Sequence, residues 1–242
     1  MHSRVASSSS FAGDPEGQVR PHTPGSIPIA VFDLDGTLLA GDSTVAWIRR
    51  LLQDSWLRFA LAAIALPPSL LLIWFPASRR IGASVLLWLA TAGYDQEALA
   101  ESLEAFSKCF EQGESKLRWR HEGLTTMERH LATGDRVLVV TAAPVWLAER
   151  LLGSRSRVLG STLVRRWGGW VIGHHCHGKE KCRTLERNGY GTAWDYAYAD
   201  SYEDAPLLAA ARKHGFIVNA RPRVVAKLKA RGQSRISPLR WT

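Results

Sequence analysis

Two carboxylates spaced two residues apart, Asp33 and Asp35, close the short apolar run Ile27-Pro28-Ile29-Ala30-Val31-Phe32 and are followed at once by Gly36-Thr37. A brief, β-branched run that stops at Asp-Leu-Asp-Gly reads as a buried strand emptying into a turn. Strand alternation puts positions i and i+2 on one side, so Asp33 can attack an electrophile while Asp35 handles the proton of the leaving group. Gly36 permits the tight turn, and the Gly36 and Thr37 amides can then approach a phosphoryl oxygen, as backbone donors do in other phosphate sites. Asp-Gly after a strand is also an ordinary turn, so the pair gains weight only from partners elsewhere in the chain.

Those partners fall where other strands should end. Thr141 closes the run Arg136-Val137-Leu138-Val139-Val140, and its hydroxyl, helped by the Ala142 and Ala143 amides, can donate to the same phosphate. A threonine there can equally be a helix cap. Asp200 and Asp204 follow residues 196–199 with i, i+4 spacing, so Asp200 can reach the crevice as a metal ligand while Asp204 supports it from the next turn. Acids also collect at helix N-termini for the dipole alone. Asp33, Asp35 and Asp200 beside a phosphate gather more negative charge than a site holds without cations, so a metal and a base are expected. All-oxygen ligation fits Mg²⁺, with these three aspartates as its ligands. The base should be a lysine between Thr141 and Asp200. Lys179 and Lys181 both qualify, and Lys181 is preferred because Leu185, four residues on, starts the apolar face of a helix.

Such residues converge only if an open parallel sheet carries them, since ligands bind there outside the carboxyl ends of the strands. Residues 27–32 and 136–141 supply two strands, the second preceded by a helical stretch at 115–132 and followed by another at 144–152. Residues 195–199 and 216–219 read as further strands with a helix at 206–214 between them, which predicts an α/β, doubly wound, Rossmann-like sheet. Residues 158–166 and 170–177 flank Gly168-Gly169, the signal of a β-hairpin flap. Helical, strongly apolar sequence over 43–119 interrupts the alternation as an inserted cap, leaving 27–42 and 120–220 as the catalytic core.

The ordered set Phe32-Asp33-Leu34-Asp35-Gly36-Thr37-Leu38, Thr141, Lys181 and Asp200-Ser201-Tyr202-Glu203-Asp204 resembles the four motifs of the haloacid dehalogenase-like superfamily over residues 27–220. The resemblance implies that Asp33 forms a phosphoryl-aspartate, Asp35 acts as acid and then base, Thr141 and Lys181 hold the phosphoryl group, and Asp200 binds Mg²⁺. It further implies a phosphatase, since dehalogenases lack the second Asp. An insert directly after the first motif is similar to the cap of the phosphoserine phosphatase-like branch, in which an acid nine residues after the nucleophile reaches the substrate. Asp42 holds that position, where it can equally be an N-cap beside Ser43 and Thr44. Ala199 departs from the pattern, standing where relatives often carry Gly. Within that branch, cap and ribbon segments such as Gly168-Gly169-Trp170-Val171 and Cys176-His177-Gly178-Lys179-Glu180-Lys181 are most similar to the phosphatidylglycerophosphatase C family, which implies phosphatidylglycerophosphate as substrate. A soluble phosphatase of small metabolites, phosphoserine among them, is the alternative.

With 242 residues, 46% of them hydrophobic, the chain can bury one good core and a smaller appendage. Three cysteines form no even-numbered framework, which argues for a reducing compartment. His174, His175, Cys176, His177 and Cys182 match no usual zinc spacing. The net charge of +9 favours anionic partners: a phosphorylated substrate, here a phospholipid, and a membrane surface, with no nucleic acid partner expected. Residues 1–26, rich in Ser, Pro, Gly and charge and without a long apolar stretch, read as a disordered tail and no secretory signal. Residues 221–242 carry seven Lys or Arg and no acid, and read as a basic tail.

The cap adds a membrane expectation. No acid lies between Asp54 and Asp95, and residues 56–75 are apolar apart from Arg58, Pro67, Pro68 and Ser69. A single crossing is excluded, because the strands before Asp33 and Thr141 share one sheet. The second apolar stretch, residues 81–92, would span only about 18 Å as a helix against a hydrocarbon core of roughly 30 Å. The cap is therefore expected to touch the bilayer as a hairpin or re-entrant dip bent at Pro67-Pro68, on the cytoplasmic side of the cytoplasmic membrane. A cytoplasmic protein with a greasy cap is the alternative.

Overall fold

In the computed structural model, which describes residues 27–75, 77–231 and 235–242, near-continuous burial along the central strands sets the architecture. Strand β1 (Ile29–Phe32) sends Ala30 and Phe32 to one hydrophobic cluster and Val31 to another. Strand β4 (Arg136–Pro144) does the same with Val137 and Val139 against Leu138 and Val140. A sheet whose two faces both lie under apolar layers needs strands that are apolar throughout, which is how these two runs read.

The chain order begins with β1, then β2 (Leu39–Ala40), helices α1 (Ser43–Gln53), α2 (Trp56–Trp74), α3 (Arg79–Thr91) and α4 (Gln96–Glu111), and β3 (Arg118–Trp119). Helix α5 (His121–Ala132) leads into β4, followed by α6 (Val145–Leu152), β5 (Arg157–Ser161), β6 (Leu163–Arg166) and β7 (Gly169–Ile172). Helix α7 (Lys179–Arg187), β8 (Trp194–Ala199), α8 (Ala205–Ala209), β9 (Ala211–Val218), α9 (Pro222–Ala230) and β10 (Ile236–Leu239) complete it. Six parallel strands pair in the order β10-β9-β8-β1-β4-β5, the α/β doubly wound sheet expected of the sequence. β1 lies between β4 and β8, so the carboxyl ends of these three strands open onto one crevice.

Helices α1–α4 form the insert. β2 and β3 pair antiparallel, Leu39 opposite Trp119 and Ala40 opposite Arg118, and so tie its entry to its exit. Asp42, Ser55 and Asp95 cap three of its helices with side-chain oxygens. Helix α3 runs along the β6–β7 ribbon and meets its free edge: Thr91 Oγ1 accepts from Trp170 N at 2.9 Å, Ser84 Oγ accepts from Ile172 N at 3.2 Å, and Arg80 donates to Gly173 O at 3.0 Å. Helix α2 packs on α3 closely enough that a Cβ on Gly82 would stand 2.5 Å from Ser69 O.

Several expectations are corrected. Helix α2 runs through Pro67 and Pro68 without a break, and the chain reverses after Trp74. There Ser78 Oγ donates to Leu72 O at 2.9 Å and Arg79 Nε to Ile73 O at 3.1 Å, supplying partners for carbonyls at the helix end. Residues 157–161 belong to the main sheet, leaving the flap to β6 and β7 alone. The helix expected at 206–214 ends at Ala209, because pairing with β8 captures the chain from Ala211 onward and overrides local helical propensity. Residues 222–230 and 236–239, expected within a basic tail, instead form α9 and β10. Strand β10 extends the sheet beside β9, and Trp241 is buried against Tyr198, ring centroids 5.7 Å apart. Residues 1–26 lie outside the described residues.

Candidate active site

Asp33 follows β1 directly, and its amide donates to Tyr198 O of β8 at 2.8 Å, which locks the turn to the neighbouring strand. Its carboxylate is buried. Lys181, on the first turn of α7 and also buried, donates from Nζ to Asp33 Oδ1 at 2.6 Å and to Asp204 Oδ2 at 2.8 Å. Thr37 Oγ1 donates to Asp33 Oδ2 at 3.4 Å. Asp200, at the end of β8, completes a group of three carboxylates, Asp33, Asp200 and Asp204, whose nearest oxygens all lie within 4.8 Å of one another. Gly36 is obligatory here for two reasons. Its φ is +78°, and a Cβ would stand 2.2 Å from Asp200 Oδ2.

The electrostatics follow from burial. Burial pushes the Asp33 carboxyl up to about 8, with Lys181 pulling it down and the Asp204 and Asp200 charges pushing it up again. Burial alone would lower Lys181, but Asp33 and Asp204 outweigh it and raise its pKa, so the ammonium stays charged. Asp200 is raised to about 6 by burial and then by Asp204. One ammonium against three carboxylates leaves a deficit of positive charge, and Asp204 Oδ1 is buried with no hydrogen-bond partner. An orphaned oxygen in an all-carboxylate cluster fits a hard divalent cation.

Asp35 stands apart from the cluster. Its Oδ1 accepts from Ser43 N at 2.8 Å and its Oδ2 from Ser43 Oγ at 3.1 Å, so the carboxylate expected among the metal ligands is turned toward the start of α1. The i, i+2 alternation does not persist past β1, because Asp35 leaves the strand and forms an isolated bridge with Leu39. Burial, followed by the charge of Asp42, raises Asp35 to about 7, which leaves it a proton to give near neutrality. Asp204 takes the place in the cluster that Asp35 was expected to fill.

The amides of Gly36 and Thr37 are engaged within the turn, donating to Gly41 O at 3.1 Å and Leu34 O at 3.3 Å. The amides of Leu34 and Asp35 donate to no group among the described residues, and they, not the expected pair, are available to a phosphoryl oxygen. Thr141 is buried at the mouth of the crevice, its Oγ1 accepting from Ala143 N at 3.0 Å. Ala142 O accepts from Ser161 Oγ at 2.7 Å, which fixes the loop after Thr141. Asp42 caps α1 through Oδ1 to Val45 N at 2.8 Å. Lys179 is exposed, two residues from the buried Lys181. Among the described residues the histidines and cysteines of 174–182 form no metal-holding group. Ser43 escaped the sequence reading, and its only signal was its place next to a helix cap.

A buried aspartate on a charged lysine, beside a second carboxylate at the end of the neighbouring parallel strand and a third from the turn ahead of α8, is the equipment of an α/β phosphoryl-transfer hydrolase. The chain belongs to the haloacid dehalogenase-like hydrolase family, whose model matches residues 30–209. Family and site together make it a phosphatase. Among solved structures it is similar to a protein of unknown function from Bordetella pertussis Tohama I, at 22% identity over 87% of this chain and 98% of that one, TM-score 0.69. A phosphoserine phosphatase solved as a phospho-aspartyl intermediate analogue aligns at 13% identity over 87% and 92% of the two chains, TM-score 0.53. A cytosolic 5'-nucleotidase IIIB bound to cytidine aligns at 14% identity over 89% and 81%, TM-score 0.54. At these identities the likeness is one of fold.

Proposed function

We propose that this phosphatase cleaves a phosphate monoester on a phospholipid through a phosphoryl-Asp33 intermediate, and that phosphatidylglycerophosphate, yielding phosphatidylglycerol, is the substrate. An Asp33 oxygen attacks phosphorus, the bond to the leaving alkoxide breaks, and Asp35 delivers a proton to that oxygen. A water then attacks the phosphoryl-aspartate, Asp35 takes its proton, and phosphate leaves. Lys181 holds Asp33 in position and neutralises charge, while Thr141 and the free amides of Leu34 and Asp35 accommodate the phosphoryl oxygens. Mg²⁺ held by Asp33, Asp200 and Asp204 would supply charge neutralisation for the transferring group.

The lipid reading is carried by one observation: the outer face of α2. Trp56, Ile64 and Trp74 are 81%, 75% and 80% exposed. The one charge in the helix, Arg58, is turned away from that face, donating to Ala92 O at 2.9 Å and lying over the Tyr94 ring. A long, uncharged, exposed apolar face is what an interfacial helix presents to a bilayer. By length and composition α2 could cross a membrane. Packing on α3, itself laid along the β6–β7 ribbon, instead favours a helix lying in the plane of the cytoplasmic surface over a hairpin dipping tip first.

The comparisons favour a second reading, hydrolysis of a small soluble phosphate monoester, because phosphoserine phosphatases and a cytosolic nucleotidase stand among the similar structures. Purified protein in detergent with Mg²⁺ separates the two. The lipid reading expects phosphatidylglycerophosphate to exceed phosphoserine and nucleoside monophosphates in kcat/KM by at least about a hundredfold, equivalent to roughly 2.7 kcal/mol. Equal or better turnover of the soluble esters would replace it with the second reading.

A further inference from the structure

A cleft of about 770 Å³ lies between the start of α3, the start of α7 that also carries Lys181, and the turn before α8 that also carries Asp204. Lys179, two residues before Lys181, and Glu203, next to Asp204, both line it. Its remaining charged walls are Arg79 and Arg80 from the start of α3, Glu180 from α7, and Arg231 after α9, with His175 and His177 beside them. The two acids are already spoken for. Glu203 Oε2 pairs with Arg79 Nη1 at 2.8 Å and with His177 Nε2 at 2.5 Å, and Glu180 pairs with Arg183 and Arg187, which do not line the cleft. Arg80, Lys179 and Arg231 therefore face one cavity with no carboxylate partner among the described residues. Arg80 rests on Gly173 O, and Arg231 lies 5.3 Å from the centroid of the Tyr202 ring. Positive charges gathered around a concave surface repel one another and focus a field that an anion relieves.

We propose that this cleft is a second anion subsite, and that it takes a second phosphate group carried by the substrate itself, one short linker away from the phosphate being cleaved. A phosphodiester in a lipid headgroup and the second phosphate of a soluble bisphosphate present the same chemistry to it. The proposal rests on the phosphatase reading and names a property of the substrate that the catalytic residues do not specify. It separates the cleft from the exposed face of α2 as well: its cations line a cavity whose walls include the chain neighbours of Lys181 and Asp204, whereas the outer face of α2 has none.

The test compares glycerol 1,3-bisphosphate with glycerol 1-phosphate, and water-soluble short-chain phosphatidylglycerophosphate with short-chain phosphatidic acid, with an aryl phosphate as the common reference. Wild-type protein should prefer each two-phosphate substrate to its one-phosphate counterpart by about tenfold or more in kcat/KM, as a charge-assisted contact to phosphate provides, and the preference should shrink at high salt. The double change Arg80→Ala with Arg231→Ala should remove most of that preference through KM. A wild-type protein indifferent to the second phosphate overturns the subsite whatever the variants do. Variants that slow all five substrates alike, or that affect only substrate presented in anionic vesicles, overturn it too and return the cleft to a structural or bilayer-contact role. Preference for the soluble bisphosphate without any gain from acyl chains would uphold the subsite while removing the lipid reading.

Discussion

The central strands and helix α2 are both nearly uncharged apolar sequence, yet the first is sealed and the second is open. Ala30, Val31 and Phe32 of β1 are fully buried, because helices cover the sheet on both faces. In α2 only Ala62 and Ser69 are buried, because α3 covers one side and nothing described here covers the other. Apolar composition thus has two outcomes in one chain. In the sheet it pays for a rigid platform under the catalytic carboxylates, and in the cap it leaves a surface that needs a partner.

The sharpest way to test that division is at the platform. Asp33→Asn should leave folding intact, because the change is nearly isosteric and Lys181 keeps Asp204, and abolish turnover of every substrate, by more than about 10⁴-fold, because the attacking carboxylate is lost. Residual activity within tenfold of wild type would remove Asp33 from the nucleophile's role. Lys181→Ala should come next. It strands Asp33 and Asp204 in the interior, and a fall of about 3 kcal/mol in unfolding free energy should accompany near-complete loss of activity. Lys179→Ala, by contrast, should unfold at the wild-type denaturant midpoint, and a reversed ranking of the two lysines would place the structural one at 179. Chelation should abolish activity and Mg²⁺ restore it, with Asp200→Ala raising the Mg²⁺ requirement about tenfold or more. Full activity in excess chelator would remove the metal from the scheme.

The open face gives the smallest effect on chemistry and the largest on location. Ile64, Leu71 and Trp74 share one side of α2, whereas Leu72 and Ile73 pack toward Gly82 of α3. Changing Ile64, Leu71 and Trp74 to Ser should release the protein from sedimenting membranes and reduce turnover of bilayer-embedded substrate, with aryl phosphate turnover within about twofold, because no catalytic contact is touched. Wild-type protein that stays in the supernatant without detergent would end the membrane reading and leave α2 to a protein partner.

Much of the site was legible because its signals are local. A buried strand that stops at Asp-Leu-Asp-Gly, a lysine one turn ahead of an apolar helix face, and an Asp after a second apolar strand each announce themselves within about ten residues. The sequence by itself determined the parallel α/β sheet, the insert after the first strand, and the meeting of Asp33 and Asp200 at strand ends with Lys181 from the start of a helix. The tertiary structure decided what depends on contacts between distant segments. Asp35 turns to Ser43 instead of the carboxylate cluster because β1 ends at Phe32 and strand alternation does not reach it. Asp204 enters that cluster because Lys181, from another helix, draws its other oxygen in. Within the basic segment, 222–230 form a helix and 236–239 an edge strand, and Trp241 finds Tyr198 and Asn219, partners 43 and 22 residues away that no local pattern encodes. Local spacing fixes which side chains leave a strand end, and only the packed chain fixes which of them meet.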